Sequence, residues 1–340
     1  MKTHSNAEST ADVQKLTQLH FSFAPSRILT VGLQFRVFSH IAAGHTTAAA
    51  IAKAAGASER GMRMLLDALA GLELLIKKDG HYMLTPVAER YLVRESPDYA
   101  GYIMESDSLW EAWSRLADCV RTGKPCQAVN QQQRAEEFFP VLVRGLHVTN
   151  REPARRLALA LAGDHSHGGQ IRVVDVACGS GVWGIAVAET HPHAQLTAQD
   201  FPKVLELTRQ YLRQHGVEDR YDLLPGDLKE VDFGENRYDV ALLGNIVHSE
   251  GERASRQLFK RLARALRAGG RIAIMDMLPS DDRSGPPFPL FFALNMLVNT
   301  DAGDTYTLAE YTDWLKDAGF AQVETADIGS HSPAIIATKN

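Results

Sequence analysis

The fold is decided by residues 171–184, Ile-Arg-Val-Val-Asp-Val-Ala-Cys-Gly-Ser-Gly-Val-Trp-Gly. The first six residues form a short apolar run that is typical of a buried strand. Gly179, Gly181 and Gly184 follow at the spacing G-x-G-x-x-G, which lets the backbone turn sharply into a helix and approach a nucleotide closely. This motif alone is weak evidence for one cofactor, because an NAD-binding protein would carry it as well.

Two acidic residues near this loop narrow the choice of cofactor. Asp175 lies on the strand just before the loop, where a carboxylate disfavours a pyrophosphate but suits a cofactor that carries a sulfonium and an ammonium group. Asp200 ends the second apolar run and can accept hydrogen bonds from both ribose hydroxyls, at ~1.5–3 kcal/mol each. Asp200 suits either nucleotide cofactor, so it is Asp175 that favours the sulfonium cofactor over NAD.

From residue 171 onward, short apolar runs alternate with helical segments. The runs are residues 171–177, 194–200, 221–227, 238–245 and 271–277. This alternation predicts an α/β domain in which crossover helices connect a mainly parallel sheet. Two further β-rich runs, residues 320–328 and 332–340, suit a terminal reversed hairpin.

The N-terminal region has a different pattern. Residues 33–85 predict three helices, with caps at Thr46 or Thr47 and at Ser58, followed by a hairpin that turns at Asp79-Gly80. This is the pattern of a winged helix-turn-helix, which commonly binds DNA. The charged residues of its third helix sum to zero, and they are Glu59, Arg60, Arg63 and Asp67. A DNA-reading helix needs basic residues, so we expect a structural or dimerising role.

Four motifs in a fixed order resemble those of class I S-adenosylmethionine-dependent methyltransferases. They are D-x-x-x-G-x-G at 175–181, Asp200, Gly226-Asp227 and L-x-x-G-G-R at 266–271. With the winged helix, about residues 15–338 resemble the small-molecule O-methyltransferases of plants and bacteria, of the caffeate, hydroxyneurosporene and acetylserotonin types. The resemblance implies a Rossmann-like domain with a mainly parallel seven-stranded sheet, an α-helical winged-helix dimerisation domain before it, and a homodimer that binds S-adenosyl-L-methionine. One departure is Ala177, where the family often has glycine.

The resemblance also assigns residues to the cofactor and to the acceptor. The implied cofactor-binding residues are Asp175, Cys178, Gly179, Ser180, Gly181, Asp200, Phe201, Gly226, Asp227, Leu228 and Asn245. Asp227 would accept a hydrogen bond from the adenine amino group. The candidates for the acceptor pocket are Met104, Trp113, Phe138, His147, Phe292, Asn295 and Met296. Core packing is the alternative for the apolar run at residues 288–298.

The catalytic candidates follow the fourth and fifth strands. His248 comes shortly after run 238–245, and the carboxyl ends of parallel strands are where such folds place their chemistry. The resemblance implies that His248 is the general base, although only the histidine of the family's H-D-W is present. It also implies that Asp276 orients this histidine. The family's second orienting acid falls near residues 304–307, where the register puts Thr305 instead of an acid. A helix-start or core histidine is the alternative for His248.

A histidine base restricts the acceptor. A phenol with a pKa of ~10 and an unperturbed histidine at ~6.5 differ by ~3.5 units, or ~5 kcal/mol. A concerted proton transfer can bridge this difference, whereas an aliphatic alcohol is several units worse. We therefore expect a phenolic or enolic hydroxyl on a small aromatic acceptor. Two alternatives stay open, namely other chemistry with the same cofactor (C-methylation, hydroxylation with decarboxylation, or rearrangement) and a winged-helix transcriptional regulator.

The predicted organisation has four parts. Residues 1–11 are disordered, 12–100 form the dimerisation domain, 101–165 form a helical linker that contributes to the acceptor pocket, and 166–340 form the cofactor-binding domain. The polar, glycine-rich stretch at 162–169 is the expected boundary. Its two histidines, like His191 and His193, lack nearby carboxylates or cysteines at ligand spacing, so no metal is expected.

Composition adds limits on partners and location. The net charge is −5, whereas proteins that neutralise nucleic-acid phosphates are usually basic, so no nucleic-acid partner is expected. No run approaches the ~18 apolar residues of a membrane span, so no membrane contact is expected. Cys119, Cys126 and Cys178 fit neither a zinc site nor a disulfide framework, which favours a reducing cytoplasm.

Overall fold

A computed structural model describes residues 6–126, 132–162 and 170–340. The chain divides into two compact units, residues 1–107 and 108–340. Of the segment predicted to be disordered, residues 1–5 lie outside the described residues, whereas Asn6 already begins a helix. Most of the predicted boundary at 162–169, with its two histidines, also lies outside them.

The first unit is helical with a two-stranded wing. Its helices are α1 Asn6–Phe21, α2 Phe23–Gln34, α3 Val37–Ala42, α4 Ala48–Ala55, α5 Glu59–Gly71, α6 Pro86–Tyr91 and α7 Gly101–Met104; its strands are β1 Leu75–Lys78 and β2 His81–Leu84. The hydroxyl of Thr47 caps α4, and that of Ser58 caps α5, because each accepts a backbone N–H of the first turn. The antiparallel hairpin turns at Asp79-Gly80, where both residues have positive φ.

The second unit is an α/β domain. Its helices are α8 Ser108–Ser114, α9 Leu116–Thr122, α10 Gln132–Ala162, α11 Val182–Thr190, α12 Pro202–Gln214, α13 Val247–Glu250, α14 Glu252–Ala265, α15 Pro287–Asn299 and α16 Leu308–Asp317, with a 3₁₀ turn at Glu218–Arg220. Its strands are β3 Arg172–Val176, β4 Gln195–Asp200, β5 Tyr221–Pro225, β6 Tyr238–Gly244, β7 Leu266–Met275, β8 Phe320–Ala326 and β9 Ala334–Lys339.

These strands form one seven-stranded sheet in the order β5-β4-β3-β6-β7-β9-β8. The pairs from β5 to β7 are parallel, whereas β9 runs antiparallel to both β7 and β8. The predicted mainly parallel sheet with a terminal reversed hairpin is therefore confirmed. The strand order changes direction between β3 and β6, which is where open α/β sheets bind their ligands.

Alternation along β3 fills both faces of this sheet. Val174 and Val176 are buried on the face that also holds α14, whereas Val173 is buried on the face covered by α11. Leu157 and Leu161 of α10 complete the packing on that second face. The sheet is thus closely packed and shielded from water on both faces. The loops that carry the candidate site residues begin at the carboxyl ends of its strands β3 to β7.

Candidate active site

The glycine loop between β3 and α11 is closely packed. Gly179 and Gly181 have φ of +57° and +75°, a left-handed region that glycine adopts freely. A β-carbon at Gly179 would lie 3.3 Å from Val143 of α10, and one at Gly181 would lie 3.3 Å from Thr208 of α12. Ala177 adopts φ of +49°, which costs a residue with a β-carbon about 1–2 kcal/mol. The backbone of the loop is therefore strained at Ala177, and at the two glycines it packs closely against α10 and α12.

Asp200 faces this loop from the end of β4. Its Oδ2 accepts the Gly179 N–H at 2.9 Å, and its Oδ1 accepts the Phe201 N–H at 2.7 Å. Only 9% of the residue is exposed, and this burial raises the pKa of Asp200 to about 6, although the two amides act in the opposite direction. Each oxygen keeps further lone-pair capacity, so the carboxylate fits the adjacent hydroxyls of a ribose.

Asp175 plays a different part from Asp200. It is fully buried, and its Oδ2 accepts the N–H of Gly184 in the first turn of α11 at 3.0 Å. Burial raises the pKa of Asp175 to about 8, with a further contribution from the nearby Asp200. The structure thus uses Asp175 to hold the start of α11 against the sheet, beneath the loop.

Gln199 joins two of the candidate loops, and the sequence analysis did not name it. Its Oε1 accepts the Ala177 N–H at 3.2 Å, and its Nε2 donates to the Gly226 carbonyl at 2.7 Å. The side chain is 1% exposed, so both bonds are made in a dry environment. A polar residue inside an otherwise apolar strand, one position before Asp200, was the available signal.

His147 lies at the glycine loop. Its Nδ1 is 3.0 Å from the hydroxyl of Ser180, and its ring stacks on Tyr211 with a centroid distance of 3.9 Å. Burial lowers the pKa of His147 to about 3, so the ring is neutral at physiological pH. The sequence analysis placed His147 in the acceptor pocket, whereas its contacts here are with the predicted cofactor loop.

The remaining predicted cofactor residues surround the same sheet edge. Cys178 is buried, and its Sγ lies 3.7 Å from the Thr208 hydroxyl. Asp227 closes a turn by accepting the Lys229 N–H at 2.8 Å, next to the mostly buried Leu228. Asn245, at the end of β6, has φ of +57° and donates its backbone N–H to Met275. Phe201 packs against Val204 at the start of α12.

His248 and Asp276 meet as the sequence predicted. The Nδ1 of His248 lies 2.6 Å from Oδ1 of Asp276, and the backbone N–H of His248 donates to Oδ2 at 2.9 Å. Both residues are buried, at 7% and 6% exposure. A carboxylate that accepts Nδ1–H fixes the tautomer in which Nε2 carries the free lone pair. Because His248 makes both bonds from the short helix α13, they orient its imidazole ring relative to the end of β7.

The position of the expected second acid holds a different kind of group. Thr305 is fully buried and donates its hydroxyl to the Pro289 carbonyl at 3.3 Å. The second oxygen of Asp276 instead accepts the hydroxyl of Tyr311 on α16 at 3.0 Å. The sequence analysis did not name Tyr311, because nothing in the local pattern connects α16 to the end of β7.

Helix α15 places an aromatic ring and an amide beside the histidine. The ring of Phe292 meets that of His248 edge to face, with centroids 5.0 Å apart. Asn295 lies one turn further along, and its Oδ1 accepts Trp113 Nε1–H at 3.1 Å and Asn299 Nδ2–H at 3.1 Å. Because both donors occupy the oxygen, the amide nitrogen of Asn295 must point away from them.

For the other candidates of the acceptor pocket whose side chains are described, the structure gives burial or a local contact and no bond to His248 or Asp276. Met296 is 6% exposed and packs in the interior. Met104 belongs to the first unit, where its carbonyl accepts the Thr30 hydroxyl. Phe138 lies in α10, but its side chain is outside the described residues.

Two family models match the chain. The model of the O-methyltransferase domain matches residues 113–321, and that of the O-methyltransferase dimerisation domain matches residues 17–94. The chain belongs to the O-methyltransferase family. Within the ranges that the structure describes, every helix of this O-methyltransferase is too short or too polar to span a lipid bilayer.

Its relatives include O-methyltransferases with named acceptors. The 3-hydroxy-5-methyl-1-naphthoate 3-O-methyltransferase of Streptomyces sahachiroi is 34% identical over 325 residues, which cover 93% of this chain and 91% of that protein. The tetracenomycin polyketide synthesis 8-O-methyl transferase of Streptomyces glaucescens is 29% identical, over 100% of this chain and 99% of its own. An O-methyltransferase family protein from Burkholderia thailandensis has a TM-score of 0.82 at 26% identity, covering 96% and 98% of the two chains.

These comparisons test the sequence predictions. The family, the fold class and the enzyme class are confirmed, and S-adenosylmethionine is confirmed as the cofactor of this family of transferases. The alternatives of other chemistry with the same cofactor and of a transcriptional regulator are not favoured. The roles of individual residues and the predicted domain boundaries are not tested and stay predictions.

Proposed function

We propose that this O-methyltransferase moves the methyl group of S-adenosylmethionine to a phenolic or enolic hydroxyl of a small aromatic acceptor, with His248 as the general base. The observation that carries the proposal is the 2.6 Å contact between His248 Nδ1 and Asp276 at the carboxyl edge of the sheet. A buried histidine held in this way can take a proton, and the carboxylate then stabilises the resulting cation.

The residues around the glycine loop would hold the cofactor. Asp200 would accept both ribose hydroxyls, while Gly179 and Gly181 leave room for the backbone to approach the ligand. When bound, the cofactor supplies an electrophilic methyl group on a sulfonium. The protein positions the acceptor hydroxyl and removes its proton as the oxygen attacks, which typically contributes ~10²–10⁴ in rate.

The acceptor would lie against α15. Phe292 offers an apolar face next to His248, and Asn295 offers N–H donors from the same side of the helix, one turn away. An aromatic ring that carries a hydroxyl and, some distance from it, a carbonyl or carboxylate oxygen matches this pair. The naphthoate relative acts on an acceptor with such groups, which supports the proposal.

Assembly and location are proposed from separate features. A homodimer is supported by the dimerisation-domain match and by the exposed apolar side chains of α1, Leu16, Leu19 and Phe21, which are 62–69% exposed. A cytoplasmic location without nucleic-acid partners is proposed from the free thiols and the net negative charge.

The test is a screen for methyl transfer. The purified protein with S-adenosylmethionine is incubated with hydroxylated naphthoates, other phenols and the corresponding methyl ethers, and the products are analysed by mass spectrometry. We expect one added methyl group per accepted phenol and no reaction of the ethers. His248→Ala should lose at least ~10²-fold in kcat, whereas His193→Ala, at an exposed loop position, should not. Full activity of His248→Ala would refute the assigned base.

A further inference from the structure

Asp276 is the most heavily hydrogen-bonded carboxylate of the candidate site. Its Oδ1 accepts His248 Nδ1–H and the Met277 N–H, and its Oδ2 accepts the His248 N–H and the Tyr311 hydroxyl. Three of these bonds are donated by His248 itself and by Met277, the residue that follows Asp276. The fourth comes from α16, 35 residues further along the chain.

Tyr311 is held rigidly in this role. It is fully buried, stacked on Phe259, and met edge to face by Tyr306. Burial, with the nearby charge of Asp276, raises the pKa of Tyr311 well above its ordinary value, so its hydroxyl stays protonated and donates. In this packing the hydroxyl lies 3.0 Å from Oδ2 of Asp276.

We propose that Tyr311 is a positioning residue that sets the basicity of His248 through Asp276, where the family would use a second acid. Thr305, at the expected position of that acid, is committed to the Pro289 carbonyl and makes no hydrogen bond to the pair. The proposal rests on the proposed role of His248 as the base. Tyr311 is fully buried and bonds to Asp276, so it would act through that residue.

The physical link is the charge on Asp276. An O–H donor bonded to a carboxylate stabilises its negative charge and weakens its hold on the histidine proton. Without the Tyr311 hydroxyl, Asp276 would hold the imidazolium more strongly. His248 would then stay protonated, and unable to act as a base, up to a higher pH.

Other ionisable residues lie near the pair, and none of the described ones has a side-chain hydrogen bond to it. They are Tyr306, Asp304, Glu250, Glu252 and Glu310. Glu250 is paired with Lys229, and Glu310 is bound by Arg283 and by the Thr307 N–H. Among the described residues, only Tyr311 donates a side-chain hydroxyl to Asp276.

The test compares Tyr311→Phe with Tyr306→Phe. Both changes remove one hydroxyl from the same aromatic cluster, but only the first removes a bond to Asp276. Two quantities are measured on the full chain: the pH profile of kcat with a phenolic acceptor from the screen, and the pH midpoint of the His248 ring-nitrogen resonances, assigned with His248→Ala. For Tyr311→Phe we expect both to move upward by about 0.5–1 pH unit, so that kcat measured below the wild-type midpoint falls about 3–10-fold, with Tyr306→Phe unchanged.

Unchanged midpoints in Tyr311→Phe, or equal shifts in both variants, would overturn the proposal. If Tyr311→Phe does not fold, 3-fluorotyrosine placed at position 311 keeps the side chain and strengthens the donor, and the midpoint should then move downward. Failure of the proposed base gives a different result, because His248→Ala would remain active while the resonance midpoints still report on Tyr311.

Discussion

The carboxylate of Asp200 offers the sharpest test of the cofactor site. Its two oxygens already accept the Gly179 and Phe201 amides, so each oxygen has one further direction for a ribose hydroxyl. Asp200→Asn keeps the shape of the side chain but removes its charge and turns one acceptor into a donor. Two charged hydrogen bonds of ~1.5–3 kcal/mol each amount to about 3–6 kcal/mol, or ~10²–10⁴-fold in Kd.

The assay is calorimetric titration of the purified protein with S-adenosylhomocysteine. Asp222→Asn is the matched control, because Asp222 is an exposed residue on the neighbouring strand β5. Thermal unfolding of both variants, measured in parallel, separates lost binding from lost structure. We expect Asp200→Asn to unfold at a somewhat lower temperature but to remain folded in the titration, because its amide nitrogen faces one of the two backbone N–H groups, while burial disfavours the charge that the change removes. A Kd within threefold of the wild-type value would refute the assignment of Asp200 to the ribose.

Three further predictions concern the same site. Ribose hydroxyls donate to the ionised form of Asp200, whose pKa is raised to about 6 by burial. The Kd of S-adenosylhomocysteine should therefore rise about tenfold per pH unit below 6, because protonation removes the acceptor. Titrations of Asp200→Asn should lack this pH dependence. Ala177→Gly should raise the free energy of unfolding in urea by about 0.5–1 kcal/mol, because it relieves a φ of +49°, and a loss of stability would contradict this account. Trp113→Phe removes one of the two donors that orient the Asn295 amide, so the acceptor KM should rise about 2–10-fold, whereas Trp110→Phe, 46% exposed on the same helix, should leave it unchanged.

Local sequence patterns were sufficient for much of this fold. Glycine at 179 and 181 and the acid at 200 follow from strand ends, where backbone geometry restricts the choice of residue, and the structure has positive φ at both glycines. The pairing of His248 with Asp276 was expected from the resemblance to the family, and it is possible here because the two residues follow strands that lie side by side.

Contacts between distant positions were not predictable in the same way. Trp113 and Asn295 were both named as pocket candidates, but their bond joins positions 182 residues apart, and no periodicity in either helix encodes it. Tyr311 was not named at all, because its hydroxyl reaches Asp276 only through the packing of α16. His147 was named as an acceptor-pocket candidate, and only tertiary packing brings it to Ser180.

The amide of Gln199 limits how the two loops around it can move. One side chain connects the loop after β3 to the loop after β5, with its oxygen on Ala177 and its nitrogen on Gly226. Because Gln199 is 1% exposed, a shift of either loop would leave a buried polar group without its partner, at a cost of about 1–3 kcal/mol. The two loops are therefore held at a fixed separation by a single residue of β4.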